Sequence, residues 1–239
     1  MGVAEGGLIS TGIRPLDELL GGWERGRITL IVGKTGVGKT TILLSSAISL
    51  SRIGAVIFID CEGNLSGALR RLIQPLNNLH ASSPSTAEEQ AKIVRGLRLL
   101  SPSFLSSVVA VIVDGIAYHY HPWIRCAETD RERDEAQSWL EGQFYELSTL
   151  ARRLNVPVVA STWPTSELDR EPGEEGLGIV GGFAASAYSR TILEVRPLTE
   201  LSRSIRVLKH QNSSLTGKEI ELRASDLPIF QGAVVDGRL

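Results

Sequence analysis

Four apolar runs punctuate the chain: "RITLIVG" at 27–33, "AVIFID" at 55–60, "VVAVIVD" at 108–114 and "VPVVAST" at 156–162. Each is nearly continuous rather than alternating, which is the pattern of a strand whose two faces are both covered. The stretches between them carry helical spacing. "TTILLSSAISLSR" follows the first run, while "LSGALRRLIQPL" and "STAEEQAKIVRGLRLL" separate the second from the third, the latter opening on Ser85 or Thr86 as N-cap. Between the third and fourth runs lies a long helix, "RDEAQSWLEGQFYELSTLARRLN". Its Trp139, Phe144, Leu147, Leu150 and Leu154 fall near one face and predict a core-facing stripe. Strand and helix in alternation predict an α/β fold, a mostly parallel sheet flanked by helices.

Beyond the fourth run the pattern changes. Residues 163–182, "WPTSELDREPGEEGLGIVGG", read as a polar loop punctuated by Gly and Pro, and a loop of that length in a compact domain is commonly a lid or a binding loop. "RTILEVRPL", "SRSIRVLKHQ" and "KEIELRA" then predict short strands joined by turns, a C-terminal antiparallel extension of the sheet. There is no internal repeat, and low complexity is confined to the Ser-rich "HASSPSTA".

At 239 residues the chain can bury one substantial core and is read as a single domain, 1–239, with a flexible N-terminus at 1–8. A formal net charge of −2 lacks the general positive field of a dedicated nucleic-acid binder, so any DNA contact has to be local. Cys61 and Cys126 are neither grouped with other metal-type ligands nor spaced as a disulfide framework, and as reduced thiols they point to the cytoplasm. "MGVAEGGLIS" has no basic n-region or apolar h-region, and Gly6 stands where N-myristoylation needs Ser or Thr. No run reaches the ~18 apolar residues of a membrane span, so no membrane role is expected.

The chemistry concentrates after the first strand. Gly33, Lys34, Thr35, Gly36, Val37, Gly38, Lys39 and Thr40 fit the G-x-x-x-x-G-K-[ST] phosphate-binding pattern, with Thr41 next in line, between an apolar strand and a helix. The glycines let successive N–H groups converge on phosphate oxygens, and the helix N-terminus adds its positive end. Lys39 is expected to reach the β- and γ-phosphates and Thr40 to place its hydroxyl on Mg²⁺. Asp114 closes the third strand, where such a site needs an acid to hold the Mg²⁺ hydration shell. Glu62, just after the second strand, is the candidate to orient and deprotonate an attacking water, a task that contributes about 10²–10⁴-fold. Asp60 reads as a structural acid. ATP and Mg²⁺ are the implied cofactors.

The order "ISTGIRPLDELLGGWERGRITLIVGKTGVGKTT", "VIFIDCEG", "VAVIVDG", "VPVVAST", a Gly-Gly at 181–182 and "RVLKHQ" resembles the RecA/RadA recombinase ATPase core. From Ile9 onward the chain is most similar to the short archaeal RadA paralogues, the RadB and RadC-like proteins. The resemblance implies a RecA-type fold, ATP and Mg²⁺ binding, Glu62 as catalytic carboxylate and Asp114 as the Walker B acid. It also implies two loops, after Asp114 and after Thr162, that in recombinases face single-stranded DNA. Lys209 and His210 become candidates for contacting the nucleotide of an adjacent subunit, with a solvated strand end as the alternative. Arg70 or Arg71 becomes a candidate cover for the adenine ring, with an ordinary helix face as the alternative.

The chain departs from that pattern in three places. Only residues 1–8 precede the core, where full recombinases carry a helical DNA-binding domain and a Phe-x-x-Ala polymerisation element, so a long self-filament is not expected. The family's fourth strand commonly ends Thr-Asn-Gln, the Gln sensing the γ-phosphate; here the sequence is Ser161-Thr162-Trp163, and Trp163 can pack or stack but not act as that amide. The loop from 163 to 177 sets Glu167, Asp169, Glu171, Glu174 and Glu175 against Arg170, a poor charge balance for binding phosphates. The loop after Asp114 offers Tyr118, His119, Tyr120, His121 and Trp123. Of these, Tyr118, Tyr120 and Trp123 are candidates either for base stacking, worth ~1–3 kcal/mol per base, or for a docking patch. His119-x-His121 lacks a third ligand for a metal.

These features lead to an expected slow ATPase that serves as an accessory factor in homologous recombination and DNA repair. Its expected partner is a RadA-type recombinase or another paralogue, with weak single-stranded DNA contact. A KaiC-like regulatory ATPase without a DNA role, and an interaction protein with a merely structural ATP site, are the alternatives.

Overall fold

The computed structural model describes residues 7–65, 76–165 and 178–235. Strands lie at Leu8–Ile9 (β1), Trp23–Glu24 (β2), Ile28–Val32 (β3), Ala55–Asp60 (β4), Leu79–Ser82 (β5), Val108–Asp114 (β6), Val158–Thr162 (β7), Ser189–Pro197 (β8), Ser202–Lys209 (β9) and Glu219–Arg223 (β10). Among the described residues, eight of them form one sheet in the order β10-β9-β8-β3-β7-β6-β4-β5, and β1 pairs with β2. The four runs seen in the sequence are the parallel centre, and β9 and β10 are the antiparallel extension beyond β8. β5 leaves no comparable mark in the sequence: "LHAS" is short and half-exposed, because an edge strand needs cover on fewer sides.

The continuity of the apolar runs has the expected cause. In β4, Ile57 and Ile59 face one core while Val56 and Phe58 face the other, and Val111 and Val113 of β6 alternate with Ala110 and Ile112 in the same way. Helices cover both faces: α1 at Arg14–Leu20, α2 at Lys39–Leu50, α3 at Ala87–Gly96, α4 at Pro102–Ser107, α5 at Tyr120–Cys126, α6 at Asp130–Leu154, α7 at Gly182–Tyr188 and α8 at Pro228–Val235. The lead-in before β3 packs behind α2. Leu16, Leu20 and Trp23 join the core that holds Ile42, Leu43 and Ala47, and the Trp23 Nε1–H donates to Ser46 Oγ at 2.7 Å. Thr11 N–H and Ser10 Oγ–H both donate to the Asp17 carboxylate, which fixes the entry to α1.

Two helix starts differ from the sequence reading or settle it. Of the two candidate caps for α3, Thr86 is the cap, its Oγ1 accepting from Glu89 N–H at 3.2 Å. α6 begins at Asp130 rather than Arg133, because Thr129 and Glu132 form a reciprocal capping box that captures an extra turn. Its buried face is Ala136, Leu140, Gln143, Phe144, Leu147, Leu150 and Ala151, while Trp139 and Leu154 flank the core half-buried. Among the described residues no helix is long and apolar enough to cross a membrane. Residues 1–6, Arg70, Arg71 and the acidic stretch from Glu167 to Glu175 lie outside the described residues.

Parallel pairing decides where the chemistry can meet. Val32 is in register with Thr162, and Asp60 with Asp114, so the carboxyl ends of β3, β4, β6 and β7 open on the same edge. Ligand sites of open α/β sheets gather at this edge.

Candidate nucleotide site

The turn after β3 carries its backbone in the conformation a phosphate cradle needs. Gly38, the residue that caps α2, has φ of 101°, which an L side chain rarely adopts. A Cβ placed on Gly36 would meet nothing within 4 Å, so the crown of the turn is open space bounded by backbone. Lys34, Thr35 and Gly36 are exposed, whereas Val37 is buried and Thr41 half-buried on the first turn of α2. The amides at that first turn have no partner inside the helix and remain for a ligand. Lys39 is only 4 % exposed, and its Nζ donates to the carbonyls of Gly33 at 3.0 Å and Lys34 at 3.2 Å. Burial pushes its ammonium below the ordinary lysine value, and the nearby Glu62 and Asp114 carboxylates pull it back up.

Opposite the cradle, side chains from three segments converge. Thr40 Oγ1–H donates to Asp114 Oδ2 at 2.6 Å, and Ser161 Oγ–H donates to Asp114 Oδ1 at 2.7 Å, so both oxygens of this fully buried carboxylate are held. Ser161 Oγ in turn accepts the Gly115 N–H at 2.8 Å, which locks the end of β6 to the end of β7. Asn64 Nδ2 lies 3.0 Å from Thr40 Oγ1, 3.0 Å from Glu62 Oε2 and 3.4 Å from Asp114 Oδ2. Glu62 therefore has one oxygen tethered, while its Oε1 is buried without a hydrogen-bond partner among the described residues. Gly115, at φ of 75°, is the floor under Glu62, since a Cβ there would run into the Glu62 side chain. Asp60 instead accepts the N–H groups of Asn64 at 3.0 Å and Leu65 at 2.9 Å, shaping the turn that carries Glu62.

Burial holds the Glu62 carboxyl above the usual carboxylate range; the Asn64 amide opposes that, Asp114 and Asp60 add to it, and Lys39 counters it. This yields a prediction. Asn64→Ala removes the donor that favours the charged form, so the Glu62 carboxylate becomes harder to form and the acid limb of the turnover-against-pH profile moves to higher pH. An ATPase profile with an unmoved acid limb in Asn64→Ala would show that the amide does not tune this carboxylate. The Cys61 thiol, between Asp60 and Glu62, is pushed well up by burial and by the Asp114, Asp60 and Glu62 charges, which leaves it protonated and inert.

Three residues at this site carry no signal in the sequence. Asn64 and Ser161 are common residue types whose value lies in what they bridge. Arg203, at the start of β9, donates from Nε to the Val37 carbonyl at 2.7 Å and so ties the antiparallel extension to the back of the cradle. The Asn64 position two residues past Glu62 in "CEGN" is the nearest thing to a legible cue.

Other expectations need correction. Tyr120 is not available to DNA or to a partner: it is fully buried, and its hydroxyl donates to the Ala87 carbonyl at 3.0 Å, because the turn after β6 closes into α5 and swings this ring inward. Trp123 is half-buried against the core, tilted on Trp139 with ring centres 6.4 Å apart. Tyr118 does keep an exposed face, at 42 %. Lys209 ends β9 and His210 follows it, beside the first half of β8 and thus toward the end of the sheet away from this chain's own cradle. Lys209 Nζ donates to the Ser186 carbonyl at 2.6 Å, and His210 Nδ1 accepts the Asn212 N–H at 2.9 Å.

The residues fit a polyphosphate carried with a hard divalent cation. The turn offers amides and the buried ammonium of Lys39; the hydroxyl of Thr40 and the carboxylate of Asp114 offer oxygen donors; and the orphaned Glu62 Oε1 can accept from a hydrogen-bond donor. No cage of three or more His, Cys, Asp or Glu side chains exists among the described residues, and Mg²⁺ keeps several waters and phosphate oxygens in preference to such a cage.

Comparison with known proteins accords with this geometry. The RecA N-terminal domain family matches residues 5–156. A protein of Methanococcoides burtonii named DNA repair and recombination protein RadB is 31 % identical, the match covering 83 % of this chain and 87 % of that protein. Proteins of the same name from Methanobrevibacter smithii and Halobacterium salinarum are 26 % and 25 % identical, each match covering 85 % of this chain, and 88 % and 86 % of the respective relatives. With the family model matched over more than half of the chain and a relative 31 % identical over most of both chains, the chain belongs to the RecA/RadA family, among its RadB-like paralogues.

Proposed function

We propose that this chain binds ATP with Mg²⁺ at the 33–41 cradle, hydrolyses it slowly, and uses the bound nucleotide to switch a docking surface as an accessory factor of homologous recombination and DNA repair. The observation that carries this reading is the convergence of Thr40, Asn64, Glu62 and Asp114 at the mouth of the cradle, with Asn64 Nδ2 within hydrogen-bond reach of the other three. When bound, Mg²⁺ supplies charge neutralisation at the terminal phosphates. The chain's own residues do the rest. Lys39 would provide the cation, Thr40 and Asp114 would hold the metal's oxygen shell, and Glu62 takes a proton from water at Oε1 while Asn64 steadies Oε2.

The position of Lys209 and His210 supports slow turnover by a chain that acts alone. They lie away from this chain's own site, so any cation they contribute has to serve a second copy or a partner. Such cations supplied in trans are worth about 10³–10⁵ in rate. The names of the RadB relatives support the recombination reading over a KaiC-like regulatory role. The partner proposed is a RadA-type recombinase or a further paralogue, with single-stranded DNA contact weak because the 163–177 stretch is acidic.

The test is ATP turnover by the full chain, alone and with single-stranded DNA or a RadA-type recombinase, together with pull-down on that recombinase. A low basal rate that rises severalfold with the recombinase or the DNA is expected. Turnover indifferent to both, with no recombinase captured, would transfer the chain to the regulatory class. A protein that holds ATP tightly and never turns it over would make the site structural.

A further inference from the structure

The Lys39 ammonium has a third neighbour besides the two carbonyls of its own loop. The face of Trp163 lies with its ring centre 5.8 Å from Nζ, within the range over which an ammonium is attracted to an aromatic quadrupole. An ammonium carries three donors. Gly33 and Lys34 take two, and the indole covers the remaining side, so this buried cation is satisfied by the chain itself. The ring is anchored as well. Tyr118 and His121, from the segment after β6, sit with ring centres 6.0 Å and 6.3 Å from it. The Trp163 carbonyl accepts the Val180 N–H at 2.9 Å, Pro164 bridges Ile179, and Thr165 N–H donates to the Gly178 carbonyl at 2.7 Å, forming the neck of the 163–182 segment. One residue thus joins three places: its ring faces the phosphate-binding lysine and the turn after β6, and its backbone carbonyl is bonded into the neck of the segment after β7.

We propose that Trp163 is a positioning residue that holds the Lys39 ammonium in its resting place, and that nucleotide binding, by drawing Lys39 away from the ring, passes site occupancy to the Tyr118–His121 turn and the loop neck. The inference rests on the reading of the cradle as an ATP site and names the element that the nucleotide switches. Phosphate oxygens make stronger, charge-assisted hydrogen bonds than backbone carbonyls, so they win the ammonium. Parting the ammonium from the ring opposes binding, and a ligand shifts such an equilibrium only by the difference in its affinity for the two states.

This fixes the sign of the test. Trp163→Leu removes the competing π face and is expected to tighten ATP binding by about three- to tenfold, with Trp163→Phe, a weaker π face, in between. A ring that merely filled space would give the opposite order, because its removal would loosen the site. ATP affinity is measured by equilibrium dialysis on the full chain and both variants, with intrinsic tryptophan emission followed in parallel. The wild-type protein is expected to change its emission on adding ATP and Trp163→Phe to bind ATP without that change, because Trp23 is held on Ser46, beyond the first turn of α2, and Trp123 and Trp139 pack on each other. Unchanged or weaker affinity in Trp163→Leu, or an emission response that survives in Trp163→Phe, would overturn the proposal while leaving ATP binding intact. Failure of the wild-type chain to retain ATP in dialysis would instead remove the nucleotide reading, and this inference with it.

Discussion

Lys39→Ala is expected to weaken ATP binding by about 10²–10⁴-fold, below detection at micromolar nucleotide, while the chain still folds. The estimate counts two charge-assisted hydrogen bonds to phosphate at about 1.5–3 kcal/mol each. The lysine is suited to that role because it is nearly buried yet, among the described residues, hydrogen-bonded only to the two loop carbonyls and faced by Trp163, each of which holds an ammonium less strongly than a phosphate oxygen does. No acid in the core depends on it: Asp114 is held by Thr40 and Ser161, and Asp60 by backbone amides. Equilibrium dialysis measures the binding, and a thermal melt of the same samples shows that the fold persists. Binding within threefold of wild type would mean that the phosphates do not sit against this loop.

Glu62→Gln should separate binding from chemistry. The amide has the same shape and can turn its oxygen to Asn64 Nδ2, so the hydrogen bond at that position survives and ATP affinity is expected to stay within a few-fold. What disappears is a group that can take a proton at Oε1. Turnover is therefore expected to fall by about 10²–10⁴-fold, the usual worth of a positioned general base. Burial already holds this carboxyl above the ordinary range, which brings a base closer to neutrality and makes it more effective there. Phosphate release under single-turnover conditions reads the chemistry directly. An equal drop in binding in Glu62→Gln and Lys39→Ala would contradict the division of labour between the two residues.

The pair of variants also bears on the switch. A chain with Glu62→Gln that stays loaded with ATP is the form in which Trp163 should have released Lys39, and it is the form to offer to a recombinase in the pull-down. Lys39→Ala, which leaves the ring without its cation from the start, supplies the unloaded reference.

Much of the architecture is legible in local patterns. Each of β3, β4, β6 and β7 is a contiguous apolar run, and a strand covered on both faces leaves that mark in the sequence whatever its neighbours are. The cradle is legible for the same reason: adjacent residues, with glycines where the backbone must turn, specify their own geometry. Even the early start of α6 is written in Thr129-x-x-Glu132, a local signal. Asp114 and Glu62 could be named because both lie at or just past strand ends, and parallel strands in register bring such ends together.

Tertiary structure alone decided which side chains complete the site. Thr40 meets Asp114 across 74 residues, Ser161 meets Asp114 across 47, and Arg203 meets Val37 across 166. Such pairings depend on the order of strands in the sheet and on the direction each side chain takes, and neither leaves a periodic trace along the chain. Tyr120 shows the same limit from the other side. Its promise as a stacking face vanishes once the short helix after β6 turns the ring toward the Ala87 carbonyl, whereas Tyr118, two residues earlier, stays at the surface. The sequence by itself determined the central strands and the phosphate loop, because those are set by neighbours along the backbone. The placement of Asn64 on Glu62 and of Trp163 on Lys39 was decided only in three dimensions, because hydrogen bonds and ring contacts are set by neighbours in space.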